Sequence, residues 1–349
     1  KADRTTPESV DLYRMLDRAV GEGCRLAVME VSSHALALQR VAGLQFAAAV
    51  FTNLSQDHLD FHSDMESYFE AKSMLFRNLP AGRPAVVNLD DPVAARLLAI
   101  SPGRPVTFGF SSAADVRVER FAAGSPGTVL QMRAFGRPLT LHTPLIGRPN
   151  VANIAAAAAT AMSMGCSSAC VEAGVAALVS VPGRMESVAA GQNFAVYVDY
   201  AHSEDSLASA LSTVRALGPR RLIVVFGCGG DRDRSKRPLM GAAAARLADL
   251  AILTSDNPRS EDPLAILSDV EKGIRQVASA GSYRVEPDRR EAIRLALNEA
   301  KEGDAVVIAG KGHETYQILR ERILPFDDRE VAREILRARI PANSGRGAH

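Results

Sequence analysis

The feature that most constrains the fold of this chain is a regular alternation of short apolar runs with helical segments. The apolar runs, which we interpret as buried strands, lie at 25–31, 47–54, 85–91, 195–201, 221–227, 250–256 and 305–310. The clearest helical segments lie at 8–23, 64–79, 150–165 and 168–180. Strands that alternate with helices in this way predict a doubly wound α/β architecture with mainly parallel sheets.

Two changes of pattern divide the chain. Residues 103–147 contain short β-branched runs separated by turns, which predicts a small antiparallel β patch. Pro182 and Gly183 then interrupt the helical pattern, and a new series of strands and helices follows Arg184. We therefore predict two domains, at 1–183 and 184–349.

The composition excludes several classes of protein. Of the 349 residues, 47% are hydrophobic and 23% are charged, which is typical of a folded chain and not of a disordered one. The net charge of +1 lacks the excess of one sign that a nucleic-acid or membrane-surface binder carries. No apolar run reaches the ~18 residues of a membrane span. Four Cys without a CxxC pair predict reduced thiols and a cytoplasmic protein, and we expect a monomer.

Polar or ionisable residues follow nearly every predicted strand. Ligands of open α/β sheets bind at the carboxyl ends of the strands. A single Asp at such a place is usually a helix cap, whereas polar clusters after many strands indicate a binding edge. The clusters include Glu30, Asn53, His58, Asp199, His202, Arg232, Asp256 and Glu314.

Nine segments carry a resemblance to one known family, in order and spacing as well as in residues. They are EVSSHALALQR (30–40), TNLSQDHLDFH (52–62), YFEAKSMLF (68–76), GRPNVANIAAA (147–157), VPGRME (181–186), VDYAHSEDSL (198–207), GCGGDRDRSKRPLM (227–240), DNPRSEDP (256–263) and GKGHETYQ (310–317). The chain resembles the Mur ligases, and within them the branch that adds 2,6-diaminopimelate. The resemblance implies an N-terminally truncated central ATP-binding domain over 1–183 and a Rossmann-like, amino-acid-binding domain over 184–349.

The activity implied by the resemblance is ATP-dependent formation of an amide bond in peptidoglycan precursor synthesis. ATP phosphorylates the D-Glu side-chain carboxylate of UDP-N-acetylmuramoyl-L-Ala-D-Glu, and the amine of meso-diaminopimelate displaces the phosphate. Such a reaction depends on positioning and on neutralising phosphate charge, which Mg²⁺ does with hard oxygen ligands. The implied cofactors are ATP and Mg²⁺.

Three residues fall on the metal site of the family. Glu30 and His58 match its Mg²⁺ ligands, and Lys72 matches a lysine that CO₂ converts to a carbamate. An ammonium would repel Mg²⁺, whereas a carbamate supplies oxygens. The structural alternatives are a strand-end cap, an ordinary buried His and a solvated Lys.

Two further sets match nucleotide contacts of the family. The residues that match contacts to the UDP-linked dipeptide are Thr5, Thr6, Ser32 and Arg40. The residues that match the ATP side are Asn53, Asn150, Arg184, Asp199 and His202. The chain has Ser-Glu-Asp at 203–205, where the family often has Thr-Pro-Asp, so His202 carries the weaker match.

The diaminopimelate site gives the sharpest prediction of specificity. The matching residues are Arg232, Asp256, Asn257, Pro258, Arg259, Gly310 and Glu314. Diaminopimelate is lysine with a second carboxylate at its far end, and an Arg fork can bind that carboxylate in a bidentate pair. The alternative is a simple Asn-Pro turn followed by a solvated Arg259.

The family also has a phosphate-binding P-loop just before the region that this chain matches. Gly310-Lys311-Gly312 is not such a loop, because no Ser or Thr follows the Lys. We expect the chain to correspond to about the last two-thirds of the enzyme and to have little ligase activity by itself. The alternatives are a folylpolyglutamate-synthase-like ligase and a truncated binding fragment without turnover.

Overall fold

The computed structural model describes residues 5–59, 61–124, 127–279, 281–320 and 322–339. These residues divide into two compact units. The first unit holds the residues up to 121, together with 130–141 and 151–175, and the second holds 122–129, 142–150 and the residues from 176 onward. The domain boundary near residue 183 stays a prediction. No helix in the described ranges is long and apolar enough to cross a membrane.

The elements of the first half of the chain form an α/β arrangement on a six-stranded sheet. In chain order they are α1 (Ser9–Gly21), α2 (Ser33–Ala37), β1 (Ala49–Phe51), α3 (Met65–Arg77), β2 (Pro84–Asn88), α4 (Ala94–Ile100), β3 (Arg104–Gly109), β4 (Val116–Gly124), β5 (Gly127–Ala134), β6 (Arg137–Thr143), α5 (Arg148–Ser163) and α6 (Ser168–Ala177). Strands β1 to β6 are neighbours in sequence order, and β1, β2 and β3 pair in parallel. Helix α3 buries Phe69 and Phe76 against Phe51 and Val87 of the sheet.

The predicted strand at 25–31 is wrong. Residues 24–32 are irregular, and Leu26 and Val28 are 66% and 91% exposed. A strand exists through hydrogen bonds to a neighbour, and within the described ranges no strand pairs with this segment. An apolar run forms a strand only where a neighbouring strand is present to pair with it.

The antiparallel patch begins later than predicted. β3 pairs in parallel with β2, with Val86 opposite Val106, and it also pairs in parallel with β4 at two positions. β5 and β6 are joined by Phe135 and Gly136 alone, both at positive φ (47° and 80°). Only antiparallel neighbours can use a two-residue connection, and two positive φ angles are typical of a type I′ turn.

The second unit contains a separate, mostly parallel sheet. In chain order its elements are β7 (Glu186–Ser187), β8 (Ala195–Asp199), α7 (Glu204–Arg215), β9 (Leu222–Phe226), α8 (Lys236–Leu247), β10 (Leu250–Leu253), α9 (Pro263–Val277), β11 (Tyr283–Val285), α10 (Arg289–Glu299), β12 (Ala305–Ala309), β13 (Tyr316–Leu319), β14 (Arg322–Pro325) and α11 (Asp328–Arg339). The sheet order is β11-β10-β9-β12-β8-β7, and β7 is the antiparallel member. β13 and β14 form a small antiparallel hairpin.

Helices cover both faces of this second sheet. Along β9, Leu222, Val224 and Phe226 pack towards α7, α8 and α9, whereas Ile223 and Val225 pack towards α10 and α11. All five side chains are fully buried. A continuous apolar run is therefore required in β9, as in other parallel strands that are covered on both faces.

The strand order reverses between β9 and β12. From β9 the chain steps outward through β10 to β11, and β12 then returns to the other side of β9. The carboxyl ends of strands at such a switch point flank a crevice where ligands bind. The loops that reach this edge are 227–232, 254–259 and 310–314.

Candidate active site

The loops after β9 and β10 are locked together at the carboxyl edge of the second sheet. Gly230 N donates to Asn257 O (2.9 Å), and Ser260 Oγ donates to Asp231 Oδ1 (2.6 Å). A Cβ on Gly230 would lie 1.9 Å from Pro258 O. Only glycine allows the two loops to approach this closely.

The loop after β12 joins them through polar side chains. Asn257 Nδ2 donates to Glu314 Oε2 (2.8 Å), and Lys311 Nζ donates to Asn257 Oδ1 (2.9 Å). Lys311 Nζ also lies 3.5 Å from Asp256 Oδ1. A Cβ on Gly310 would lie 3.0 Å from Asp256 Oδ2, so the backbone passes close to this carboxylate. Asp256, Asn257 and Lys311 are buried.

Arg259 adopts a strained backbone conformation at this edge. Its φ is 53°, which costs a non-glycine residue on the order of 1 kcal/mol. Arg259 N donates to Ile318 O (3.1 Å), and Arg320 N donates to Arg259 O (2.7 Å), so β13 holds this conformation. The Arg259 guanidinium donates through NH1 to Gly230 O (2.7 Å).

Arg232 and Arg259 approach the same glycine. A Cβ on Gly229 would lie 2.8 Å from Arg259 NH1 and 3.9 Å from Arg232 Cγ. The Arg259 guanidinium, the Arg232 side chain and the carboxylates of Asp256 and Glu314 therefore share the crevice edge. Such a set can bind a molecule that carries both an ammonium and a carboxylate.

The structure thus brings together all seven residues of the predicted diaminopimelate set. Those residues are Arg232, Asp256, Asn257, Pro258, Arg259, Gly310 and Glu314. Their role in binding stays a prediction.

In the first unit, the predicted metal-site residues lie around Tyr68. Lys72 Nζ is 5.0 Å from the centre of the Tyr68 ring, and the His58 ring is 5.8 Å from it. Burial lowers the pKa of Lys72, although the charges of Glu30 and Asp57 act in the opposite direction. Glu30, His58 and Lys72 therefore occupy one neighbourhood.

These residues fit a metal ion only if Lys72 is modified. Among the residues that the structure describes, no three His, Cys, Asp or Glu side chains form a group that could hold a metal. Glu30 and His58 supply two donors, and the Lys72 ammonium supplies none. A carbamate on Lys72 would add oxygen ligands of the kind that Mg²⁺ prefers.

The predicted dipeptide-binding residues are linked to the same segment. Thr6 Oγ1 donates to Glu30 O (2.9 Å) and accepts from Ser32 N (3.0 Å), and Arg40 NH1 donates to Thr6 O (3.3 Å). Arg40 is 7% exposed, and its buried Nε has no hydrogen-bond partner in the described chain. Thr5 is exposed. Arg40 NH2 also pairs with Glu8 Oε1 (2.9 Å).

The predicted ATP-side residues are only partly brought together. Asp199 accepts from Met185 N (2.7 Å) and Ala201 N (2.9 Å), and burial raises its pKa. The Arg184 guanidinium lies 5.3 Å from the Tyr200 ring centre. Asp199 therefore shapes the backbone that carries Arg184.

The other three ATP-side residues have different positions. The His202 ring lies 4.7 Å from the ring of Tyr200, which Arg184 also approaches. Asn150 Nδ2 donates to Ile146 O (2.8 Å) at the start of α5, and no described contact joins it to Asp199 or Arg184. Asn53 is exposed after β1 in the first unit.

No role was predicted from the sequence for several residues at these sites. Lys311 lies inside the segment GKGHETYQ (310–317). Lys is rare in this chain and accounts for six of the 41 Lys and Arg residues. Asp57 directly precedes His58, and its Oδ1 accepts a hydrogen bond from the His58 backbone N–H (2.9 Å). The Arg289–Asp328 ion pair is fully buried beneath the carboxyl edge, and nothing local in the sequence pairs those residues.

A cavity of about 360 Å³ lies at the opposite, amino edge of the second sheet. Its lining includes Phe194, Tyr197, Leu217 and Asp304. It contains none of the predicted site residues.

Comparison with known proteins gives the family. Residues 1–161 match the Mur ligase middle domain, and residues 183–312 match the Mur ligase, glutamate ligase domain. A UDP-N-acetylmuramoyl-L-alanyl-D-glutamate–2,6-diaminopimelate ligase of Solibacter usitatus is 51% identical over 339 residues, which cover 97% of this chain and 68% of the relative. A solved structure of a ligase with the same name is 36% identical, with a TM-score of 0.64, over 95% of this chain and 68% of the other.

A more distant likeness concerns the alternative function. The folylpolyglutamate synthase of Mycobacterium tuberculosis, solved with ADP and AMPPCP, is 23% identical over 76% of this chain and 61% of its own, with a TM-score of 0.63. Identity at that level shows a common fold alone.

Proposed function

Because this chain belongs to the Mur ligase family, we propose that it acts in an ATP-dependent, ADP-forming ligase that joins meso-diaminopimelate to UDP-N-acetylmuramoyl-L-Ala-D-Glu. One observation carries the proposal: Asn257 and Glu314 are hydrogen-bonded at a crevice edge that also holds Arg259. These groups offer a carboxylate to an ammonium and a guanidinium to a carboxylate. The relatives that are about half identical to this chain bear the name of that ligase.

Selectivity for diaminopimelate follows from the two arginines beside Gly229. The far end of meso-diaminopimelate is an α-amino acid, whereas the far end of L-lysine carries the ammonium alone. Arg259 donates one N–H group to Gly230 O, and its Nε and NH2 groups make no hydrogen bond within the described residues. We therefore propose that the Nε and NH2 groups of Arg259 form a bidentate pair with the second carboxylate.

The chemical step is phosphoryl transfer followed by acyl transfer. ATP transfers its γ-phosphoryl group to the D-Glu side-chain carboxylate, and ADP remains. The diaminopimelate amine then attacks the acyl carbon. The C–O bond to the phosphate breaks, and phosphate leaves. Mg²⁺ would neutralise phosphate charge when bound, held by Glu30, His58 and carbamylated Lys72. The roles of Thr5, Thr6, Ser32 and Arg40 towards the dipeptide, and of Asn53, Asn150, Arg184, Asp199 and His202 towards ATP, belong to the same proposal.

Carbamylation of Lys72 is supported by its surroundings. Only the neutral amine attacks CO₂, and the lowered pKa of Lys72 favours that form. The new N–C bond replaces an N–H bond, and the proton is released to solvent. The resulting anion lies near His58 and Tyr68.

Binding of the amino acid tests the proposal. Isothermal titration calorimetry compares meso-diaminopimelate, L-lysine and L-glutamate on the whole chain, on Arg259→Ala and on the control Arg322→Ala, whose side chain is exposed on β14. We expect L-lysine to bind about 10- to 100-fold more weakly than meso-diaminopimelate, because a charge-assisted hydrogen bond is worth about 1.5–3 kcal/mol.

The variants complete the test. Arg259→Ala should remove most of the preference for meso-diaminopimelate, whereas Arg322→Ala should keep it. Equal affinity of the unmodified chain for meso-diaminopimelate and L-lysine would contradict the assignment. Selective binding of L-glutamate would instead favour the folylpolyglutamate-synthase-like alternative.

A further inference from the structure

Lys311 is a buried lysine that none of the roles proposed above uses. Its side chain has no exposed surface, and its Nζ lies 2.9 Å from Asn257 Oδ1, 3.3 Å from Glu314 Oε2 and 3.5 Å from Asp256 Oδ1. A buried ammonium is costly unless it is paired and hydrogen-bonded. Hydrogen bonds to Asn257 and Glu314 and the ion pair with Asp256, all on loops of the crevice edge, meet that requirement.

The contact with Lys311 fixes the orientation of the Asn257 amide. Asn257 Oδ1 accepts from both Lys311 Nζ and Ile318 N (3.0 Å). The oxygen must therefore face these two donors, and Nδ2 must face Glu314 Oε2 (2.8 Å).

Glu314 is consequently held by one oxygen. Its Oε2 accepts from Asn257 Nδ2 and Lys311 Nζ, whereas its Oε1 makes no hydrogen bond to any described residue. The side chain is 17% exposed. One carboxylate oxygen is anchored, and the other is available to a ligand ammonium.

The charged groups in direct contact around Lys311 and Arg289 carry one more negative than positive charge. The carboxylates of Asp256, Glu314 and Asp328 face the cations Lys311 and Arg289. Asp256 and Glu314 also act on Arg289, so the five groups form one electrostatic cluster. The net charge of these five groups, about −1, matches one ligand ammonium, and the Arg259 guanidinium at the same edge remains for a ligand carboxylate.

We propose that Lys311 is a positioning residue for the amino-acid substrate, which fixes Asn257 and Glu314 and leaves a single carboxylate charge for the substrate ammonium. The inference rests on the proposed function, since it assigns a device to the same site. Without the Lys311 ammonium, Glu314 Oε2 would lose one of its two donors, and Asn257 Oδ1 would lose one of the two donors that orient the amide. Glu314 Oε1 would then no longer be held towards the substrate ammonium.

The test measures meso-diaminopimelate binding by calorimetry. Lys311→Met removes both the charge and the donor, and Lys311→Gln keeps a donor but removes the charge. The control is Lys301→Met, which changes an exposed lysine of the same unit. We expect both Lys311 variants to bind about 10- to 100-fold more weakly near neutral pH.

The comparison of the two variants separates positioning from a merely structural role. Lys311→Gln keeps a donor for Asn257 Oδ1 and Glu314 Oε2, so its loss should lie near the lower end of that range and the loss of Lys311→Met near the upper end. Lys301→Met should bind like the unmodified chain.

Three results would overturn the inference. If the unmodified chain does not bind meso-diaminopimelate, the proposed function fails and this inference fails with it. If the unmodified chain binds but the Lys311 variants bind within twofold of it, or Lys311→Gln binds no more tightly than Lys311→Met, only the inference fails. If both variants lose their cooperative calorimetric transition, Lys311 serves the stability of the unit and not the site.

Discussion

The buried ion pair between Arg289 and Asp328 predicts a large loss of stability when its charge balance is broken. Both side chains are fully buried, and Arg289 donates through Nε (2.8 Å) and NH2 (2.7 Å) to the two oxygens of Asp328. Burial opposes the charge of Arg289, but Asp328 raises the pKa of the guanidinium overall. Arg289 also donates to Ser255 O and Ala309 O, at the carboxyl ends of β10 and β12.

The perturbation is Asp328→Asn, which keeps the shape and one acceptor but removes the charge. Breaking a buried pair from one side costs about 3–5 kcal/mol, and the two carbonyl acceptors favour the lower end. For a domain of this size, about 3 kcal/mol lowers the melting temperature by about 6–12 °C. Differential scanning calorimetry measures this shift in the transition of the second unit.

Two variants make the comparison strict. Glu334→Gln breaks an exposed pair with Arg290 in the middle of the same helix, and such a pair is worth about 0–1 kcal/mol. Arg289→Met with Asp328→Leu replaces the pair by apolar groups and should recover much of the loss. If Asp328→Asn shifts the transition no more than Glu334→Gln, the reasoning from burial is refuted.

Three other predictions concern thiols, a glycine and Lys72. Burial raises the pKa of Cys228 to about 12. Iodoacetamide at mildly alkaline pH should therefore modify the exposed Cys24, Cys166 and Cys170 quickly and Cys228 only after unfolding. Mass spectrometry that finds four equally reactive thiols in the folded chain would contradict this. Gly230→Ala should abolish meso-diaminopimelate binding in calorimetry, because the new Cβ would lie 1.9 Å from Pro258 O. The control Gly21→Ala, which has open space around the Cβ, should be tolerated. Equal binding by both variants would argue against the close approach. With ¹³C-labelled bicarbonate, NMR should detect a carbamate carbon whose signal disappears in Lys72→Ala but not in Lys301→Ala. Because the pKa of Lys72 is lowered, this carbamate should form at lower pH than carbamates on exposed lysines. A signal that survives in Lys72→Ala would exclude Lys72 as its origin.

Much of the second unit could be predicted from its sequence. β8, β9, β10 and β12 are apolar runs, and a strand that is covered on both faces needs such a run whatever its neighbours are. The residues directly after those strands reach one edge because the strands are parallel. Asp256 and Glu314 could therefore be placed at one site without any knowledge of their contacts.

The remaining features depend on partners that are distant in the chain. The run at 25–31 resembles β9 in composition, but a strand also needs a paired neighbour, which composition does not report. The contact of Lys311 with Asn257 and that of Arg289 with Asp328 join residues that are 54 and 39 positions apart. No local periodicity identifies such pairs, because tertiary packing alone brings them together.

The position of β12 has a consequence for the order in which the second sheet assembles. β8 and β9 follow each other in the chain, yet β12 lies between them and pairs with both. On the ribosome, the centre of the sheet therefore stays open until residues 305–309 have emerged. Pairings of such long sequence separation slow folding, because loop closure has to come first. Gly310, Lys311 and Glu314 arrive with that last strand, so nascent chains should become able to bind an amino acid only when the sheet closes.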